Sequence, residues 1–122
     1  LLVVIVILAI LGVVGITIFT GTQSKARDSK RKSDISAMAK AMEANYVAGS
    51  GYSTGVTSTW FADQVIPTNP APAGAPYSTG SITTSTWTFC GKLENSNGNA
   101  NTATGGNMGM TSGDWFCKKP SQ

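Results

Sequence analysis

The chain has 122 residues, a net charge of +3 and no histidine. This length predicts one domain, and the lack of histidine excludes a Ser-His-Asp or Cys-His catalytic arrangement. The six acidic residues are scattered and give no pair suited to general acid–base catalysis, so we expect a protein that is not an enzyme. The mean hydropathy of +0.02 hides two opposite parts, since residues 1–19 are apolar and residues 49–122 are rich in Gly, Ser, Thr and Asn.

Residues 1–19 form an apolar segment without charge or amide. As a helix this segment would span roughly 28 Å, close to the ~30 Å hydrocarbon core of a bilayer. Burying half of its side chains would release on the order of 20 kcal/mol, so we expect it to sit in lipid or against copies of itself. It lacks the basic start and the cleavage site of a signal peptide. Gly12 and Gly15 interrupt it and allow either close helix packing or local melting.

A polar segment follows the apolar one and leads into a second helical pattern. Residues 20–34 are polar on every side, which is typical of a stalk between an anchor and a head. Beyond them an apolar stripe predicts an amphipathic helix, so we expect one nearly continuous helix to about residue 48, ended by Gly49-Ser50-Gly51. The residues of the stripe that would pack on the head are Ile35, Met38, Ala39, Met42 and Tyr46.

The net charge of +3 lies before residue 49, and residues 49–122 are neutral overall. A neutral head does not attract nucleic acid broadly, so DNA is a partner that the charge of the head does not support. The basic cluster in residues 25–32 has candidate roles at phospholipid headgroups, at DNA or between neighbouring subunits, or it is a solvated helix face. The candidates for charge pairing between subunits are Lys25, Arg27, Asp28, Lys30, Arg31, Lys32 and Asp34.

The head, residues 49–122, is predicted to hold short strands joined by long loops. Residues 67–76 are too rich in proline for regular structure. The predicted elements are a short helix or turn at 59–66, a weak strand at 77–79 and strands at 85–94 and 113–118. Their aromatic residues are interpreted as a core and not as a ligand cage. The predicted core comprises Trp60, Phe61, Trp87, Phe89, Leu93 and Trp115.

These elements predict an α+β fold in which a long N-terminal helix packs on a small antiparallel sheet. We expect three parts, which are an apolar helix at 1–24, the amphipathic half of the same helix at 25–48, and the head at 49–122.

Cys90 and Cys117 both lie in the head. Two cysteines in a small polar domain behind a membrane segment indicate a disulfide in an oxidising compartment, with two free buried thiols as the alternative. Two cysteines without histidine do not complete a zinc site, and we expect no metal and no cofactor. The basic cluster would place the head in the cytoplasm by the positive-inside rule, which conflicts with a disulfide. We expect the head outside, because the sequence begins within the apolar run and a charged leader that would set the orientation is not in view.

The chain resembles the type IV pilins and their relatives, the type II secretion pseudopilins and the competence pilins. The resemblance rests on LLVVIVILAILGVVGITIF, on SKARDSKRKSDISAMAKAMEANY, on a proline-rich connector, and on TFCGKLEN with a late second cysteine. It is strong over residues 1–48 and loose over the head. It implies a leader removed by a prepilin peptidase, with a methylated phenylalanine and a glutamate directly before Leu1.

The resemblance also implies a life cycle and a function. The subunit would be held in the inner membrane and then assembled by a pilus machinery, with copies of itself, into an extracellular filament for adhesion, surface motility or DNA uptake. The alternatives are a pseudopilin and a single-pass membrane protein with a monomeric binding head. Filament-core contacts would come from Leu1, Leu2, Val4, Ile5, Leu8, Leu11, Val14 and Ile18.

Two features depart from the family pattern. The apolar segment has no helix-breaking proline, so any melted stretch in a filament is expected at Gly12 and Gly15. The loop before Asp114 has almost no carboxylates and is a poor calcium site, whereas major pseudopilins carry an acidic calcium loop there. The lack of carboxylates in this loop therefore favours a pilus subunit over a pseudopilin.

Overall fold

The structure, a computed structural model, describes residues 1–70 and 76–121 and has one long helix and one small sheet. The predicted α+β arrangement is confirmed. The middle of the proline-rich stretch, residues 71–75, lies outside the described residues. The elements are the helix α1 (Leu2–Ala44), a 3₁₀ turn (Ser58–Trp60) and the strands β1 (Ser78–Thr79), β2 (Phe89–Lys92) and β3 (Trp115–Lys118).

Helix α1 runs without a break through its 43 residues, a length of about 65 Å. It ends at Ala44, four residues earlier than the apolar stripe predicts. The reason lies at Asn45, whose side-chain amide donates a hydrogen bond of 2.8 Å to the carbonyl oxygen of Ala41. Such a bond competes with continuation of the helix. Tyr46 therefore lies beyond the helix and is 40% exposed.

A tight turn reverses the chain after α1 and brings it against the head. The N–H of Tyr52 donates to the carbonyl oxygen of Thr84 at 2.8 Å. Gly51, with φ +86°, lies so close to this carbonyl that a Cβ would overlap its oxygen. Only glycine fits this position without strain, and the ring of Tyr52 then packs 4.9 Å from that of Tyr46.

The three strands are antiparallel in the order β1-β2-β3, with Cys90 opposite Cys117. They are shorter than predicted. β2 begins at Phe89 and not at residue 85, because residues 83–86 form a turn closed by the N–H of Thr83 and the carbonyl of Thr86 at 2.8 Å. The side-chain hydroxyl of Thr83 also accepts the N–H of Thr86 at 3.1 Å, which is a turn-forming bond that draws threonine out of strands.

Both faces of β2 are covered. One face packs on α1 and forms the main core, in which Trp87 stacks on Phe89 with centroids 5.0 Å apart. The other face carries a second, smaller cluster around the disulfide that joins Cys90 to Cys117, which confirms the pairing that the cysteines predict. The main core comprises Ile35, Met38, Ala39, Met42, Tyr52, Tyr77, Trp87 and Phe89.

Candidate functional site

The first half of α1 is an apolar surface that the rest of the chain does not cover. By length and composition it could cross a membrane, and none of its most apolar window is buried. Soluble monomeric proteins rarely expose so large a continuous apolar surface. The residues predicted for a filament core are all between 50% and 100% exposed: Leu1, Leu2, Val4, Ile5, Leu8, Leu11, Val14 and Ile18.

Gly12 and Gly15 lie within this surface and are helical in the isolated chain. A Cβ built on either glycine would meet nothing within 4 Å. Glycine is therefore not required by the packing of the single chain. A small residue on an apolar helix does allow a neighbouring helix to approach closely, so the pair is suited to helix–helix contact.

The second half of α1 is fixed to the head by a polar cluster, here called the head clamp, which comprises Arg27, Asp28, Arg31, Glu94 and Asn95. Arg27 binds the carboxylate of Glu94 with two parallel hydrogen bonds of 2.8 and 2.7 Å. Paired bonds of this kind fix orientation as well as distance. The clamp joins residues that are 67 positions apart in the sequence, and it does so where β2 ends.

Asp28 is the centre of the head clamp and is 1% exposed. Its carboxylate accepts the backbone N–H groups of Glu94 at 2.9 Å and of Asn95 at 2.8 Å. It also accepts the side-chain amide of Asn95 at 2.9 Å and a guanidinium N–H of Arg31 at 2.7 Å. The carboxylate of one helical residue thus ends strand β2 and holds the turn that follows it.

Arg31 is completely buried. Besides Asp28, its guanidinium contacts Glu94 at 2.8 Å, Asn69 at 2.8 Å and the carbonyl oxygen of Pro70 at 3.1 Å. A buried charge with a full set of partners is tolerated, whereas removal of one partner typically costs 3–5 kcal/mol (roughly). Asp28 and Arg31 are therefore occupied within the chain and are withdrawn from any contact with a neighbouring subunit.

The two arginines determine the titration of Glu94. Hydrogen bonds from Arg27 and then from Arg31 lower the pKa of Glu94 to about 2, because positive partners favour the ionised form. The carboxylate of Glu94 thus stays ionised well below pH 4.5, and its contacts with Arg27 and Arg31 persist over the same range.

A second group of polar contacts lies farther along α1. Lys30 and Asp34 form an ion pair of 2.8 Å, and the hydroxyl of Tyr77 donates to Asp34 at 2.6 Å. Burial, followed by this hydrogen bond, raises the pKa of Tyr77 well above its usual value. The tyrosine therefore stays a hydrogen-bond donor that ties the start of the sheet to the helix.

The remaining two members of the predicted charge set are Lys32 and Lys25. The ammonium of Lys32 donates to the carbonyl oxygen of Asn97 at 2.9 Å and lies 5.7 Å from the ring centroid of Phe116. Lys25 is exposed on the helix below the clamp. Most of the charge cluster thus binds the head of its own chain, and Lys25 is the member that stays open to solvent.

The residues predicted to form the head core are distributed over two clusters. Trp87 and Phe89 are buried in the main core, and Leu93 is buried where β2 ends. Trp60 and Phe61 are half-buried at the edge of the main core. Trp115 packs instead on the disulfide side of the sheet.

Sequence reasoning missed the head's contribution to the clamp, namely Glu94, Asn95 and Asn69. No local pattern marks these residues, because each lies in a loop or at a strand end and its partner is 38 to 67 positions away. The charge balance gave no signal either, because three lysines offset the three acidic residues within residues 49–122.

In the part of the chain that the structure describes, no group of three or more His, Cys, Asp or Glu residues could hold a metal ion. Compared with known proteins, the chain matches no family model, no curated protein and no solved structure. The arrangement itself, a long apolar N-terminal helix with a small antiparallel sheet, is compatible with a pilin-like fold.

Proposed function

We propose that this chain is the structural subunit of a type IV pilus, an extracellular helical filament that it forms by polymerising through the apolar half of α1. One observation carries the proposal: the folded chain leaves this half fully exposed while it clamps the other half of the same helix to the head. One continuous helix thus has an exposed apolar half, here called the rod, at one end and carries the polar head at the other.

The assembly step exchanges one apolar environment for another. In the inner membrane the rod lies in lipid, and on extraction it packs against the rods of neighbouring subunits, so that little apolar surface meets water. Repetition of one heterologous contact that does not close gives an open fibre. The heads then coat a core of near-parallel helices, with Gly12 and Gly15 as the positions where a helix would melt or be approached closely.

Two further features support this function. The disulfide of the head fits an extracellular location. The charges of residues 27–34 fix the head to the second half of α1, which keeps every subunit in the same shape. The resemblance of residues 1–48 to type IV pilins adds a prepilin peptidase and a pilus machinery as partners, and adhesion, surface motility or DNA uptake as the use of the filament.

The test is the substitution Ile5→Asp in cells that carry the assembly machinery. A carboxylate buried between helices without a partner costs several kcal/mol (roughly) in each subunit. We expect the variant to give at least about tenfold fewer fibres than the wild type in sheared surface material seen by electron microscopy, since about 1.4 kcal/mol corresponds to a factor of ten.

The matched control is Gln23→Asp, which places the same carboxylate on an exposed residue of the same helix and should leave the fibres intact. Membrane fractionation of Ile5→Asp establishes whether the subunit is still inserted. Fibres of normal number and diameter from an inserted Ile5→Asp subunit would contradict the proposal.

The same material distinguishes the other two functions. A type II secretion pseudopilin would give only short fibres on overexpression, and its head would bind calcium in a calorimetric titration. A monomeric membrane-anchored binding protein would give no fibres from the wild-type chain at all.

A further inference from the structure

The edge of the sheet formed by β3 is closed by the chain itself. Its outward main-chain groups belong to Trp115 and Cys117. The N–H and the carbonyl oxygen of Trp115 bond to the carbonyl oxygen and the N–H of Ala100, each at 3.0 Å. The N–H and the carbonyl oxygen of Cys117 bond to the side-chain amide of Asn99 at 2.7 and 2.9 Å. No outward group of these two residues is left for another chain.

The opposite edge, formed by β1, is open. The N–H of Gly80 donates to the carbonyl oxygen of Thr88 at 2.9 Å, so the main-chain groups of Gly80 and Ser78 point towards β2. Because these directions alternate along an antiparallel strand, the main-chain groups of Thr79 and Tyr77 point outward. Within residues 1–70 and 76–121, no group bonds to them. Such an edge is a template for pairing with another chain.

An apolar cleft, here called the edge cleft, lies directly beside this open edge. Its volume is about 580 Å³, within the range of ~300–1,000 Å³ that is usual for ligand sites. Tyr77 and Thr79 line it, together with Met38 of α1 and loop residues that include Val56 and Ile66. Of the described residues that line the cleft, none is charged. A charged group would therefore lose its hydration there without gaining a partner.

Tyr77 and Thr79 belong to both features, which fixes how an added strand would meet the cleft. Both are residues of the open edge, and the side chains of both line the cleft. The ring of Tyr77 is part of the main core, which lies on the α1 side of the sheet. Since side chains alternate between the two faces of a sheet, every second side chain of an added strand points into the edge cleft.

We infer that the open edge and the edge cleft together bind an extended, uncharged peptide segment of another protein by strand addition. Main-chain bonds to Tyr77 and Thr79 supply affinity, and an apolar side chain at every second position of the peptide fills the cleft. A lipid tail fits the apolar wall, but it lacks the N–H and carbonyl groups that the edge leaves open. This binding site goes beyond the proposed filament function and does not rest on it.

A second copy of the chain fits the site less well than a different protein. The β3 edge of a second copy is closed by Asn99 and Ala100. Pairing of two β1 edges is isologous and closes into a dimer, and β1 has only two residues. The occupant is therefore a segment that is extended before it binds and that comes from another chain.

The experiment uses the full chain in micelles of a neutral detergent and a five-residue peptide of alternating valine and serine, blocked at both ends and labelled with a fluorophore. Anisotropy is corrected for the signal of empty micelles. In an antiparallel pairing the valines that fill the cleft also turn their amides towards the edge. We expect N-methylation of the valine amides to weaken binding at least about fivefold, the value of one net hydrogen bond. N-methylation of the serine amides, which point away, should leave the affinity within about twofold.

Two neighbouring residues give a matched pair of variants. Ile66 lines the edge cleft and Val65 does not; they are 38% and 56% exposed, so neither is part of the buried core. Ile66→Asp should weaken binding about tenfold or more, because its carboxylate must lose water when the apolar side chain enters. Val65→Asp changes the net charge by the same amount and should bind like the wild type.

Hydrogen exchange of the Thr79 amide, followed by NMR, tests the edge on the wild-type chain without any substitution. With about 90% of the protein bound, exchange proceeds only from the free remainder, so the rate should fall about tenfold.

Four results would overturn the inference. The first is no measurable binding at about 1 mM peptide. The second is equal binding of the two methylated peptides, which would assign the cleft to apolar groups alone, such as a lipid tail. The third is an equal loss of affinity in Ile66→Asp and Val65→Asp. The fourth is protection of the Thr79 amide that rises with protein concentration without peptide, which would assign the edge to a second copy. All are measured on chains in micelles, so a failure of fibre formation leaves these outcomes unchanged.

Discussion

At the scale of single residues, the head clamp shows how two charged side chains can act as structural elements. Asp28 and Arg31 are as well buried as the apolar core, and every contact of Asp28 described above is with Arg31 or with Glu94 and Asn95, in the turn that follows β2. Replacing Asp28 or Arg31 alone with an apolar residue would leave the other charge buried without its partner, which lowers the free energy of unfolding far more than replacing both. The clamp is therefore a specific lock between helix and head.

Glu94 makes this lock sensitive to strong acid. Its pKa of about 2 in the folded chain lies below the ordinary value of 4.5, so the folded state releases the proton more readily than the unfolded state. Its contribution to stability is fully present above the ordinary value and is lost as the pH falls from about 4.5 towards about 2. We expect Glu94→Gln to lower Tm near neutral pH and to flatten the dependence of Tm on pH in this range.

This prediction is checked by following tryptophan fluorescence during heating, because Trp87 is buried in the core. The control is Asp63→Asn, which removes a carboxylate whose described hydrogen bond is local, from the N–H of Val65 two residues along. Its dependence of Tm on pH should match that of the wild type. Parallel curves of Tm against pH for Glu94→Gln and the wild type would show that the Arg27 and Arg31 contacts do not stabilise the fold.

The residue scale is where the sequence is least informative. Cys90 and Cys117 could be paired from their number and context alone. The burial of Arg31 could not be predicted, because in the sequence it is one of several basic residues on a polar stretch. Of the two carboxylates that contact its guanidinium, Asp28 is local, but Glu94 is brought near only by the completed sheet.

At the scale of elements, the head depends on strands that are too short to be stable alone. β1 has two residues and β2 and β3 have four each, and a small sheet needs a covered face to persist. One face is covered by α1 and the other by the loop that follows β2. The disulfide between directly opposite residues of β2 and β3 closes this loop.

Removal of this disulfide should destabilise the head strongly. With a sequence separation of 27 residues, the chain-entropy model gives a contribution of about 3.5 kcal/mol to the free energy of unfolding. We expect the variant with Cys90→Ser and Cys117→Ser to unfold at a much lower urea concentration than the oxidised wild type. Reducing agent should lower the midpoint of the wild type and leave that of the variant unchanged; equal midpoints for the oxidised wild type and the variant would contradict this.

Periodicity predicted the elements better than their ends. The apolar stripe at Ile35, Met38 and Met42 repeats with the helical period, and these residues lie buried against the sheet. The helix end and the start of β2 are instead set by local hydrogen bonds: a side-chain bond at Asn45, and a backbone and a side-chain bond between Thr83 and Thr86. Such bonds compete closely with helix or strand hydrogen bonds, so hydrophobic pattern alone does not locate them.

At the scale of the whole molecule, helix α1 joins two parts: the apolar half, which makes no contact with either core cluster, and the second half, which packs on the head. Both core clusters draw on residues from Ile35 onward, and the clamp begins at Arg27. The apolar half adds nothing to either cluster. Folding of the head is thus separable from the fate of the rod.

A fragment of residues 22–122 should accordingly be a soluble, folded monomer. It keeps the head clamp, the main core and the disulfide, and it loses the apolar surface that drives association. Size-exclusion chromatography should give a monomer, and near-ultraviolet circular dichroism should give the aromatic signal of the full chain in detergent. A fragment that is unfolded or aggregated under oxidising conditions would indicate that the rod takes part in folding.

The continuity of α1 past the clamp sets how the molecule carries tension. In the proposed fibre, a pulling force passes from rod to rod along the central bundle, and the heads hang beside this load path. The long loop between β2 and β3 then does not weaken the fibre under tension, because no strand of the head bears load. We therefore expect proteolytic cleavage of a surface loop, for example near residue 105, to leave the tensile strength of the fibre unchanged.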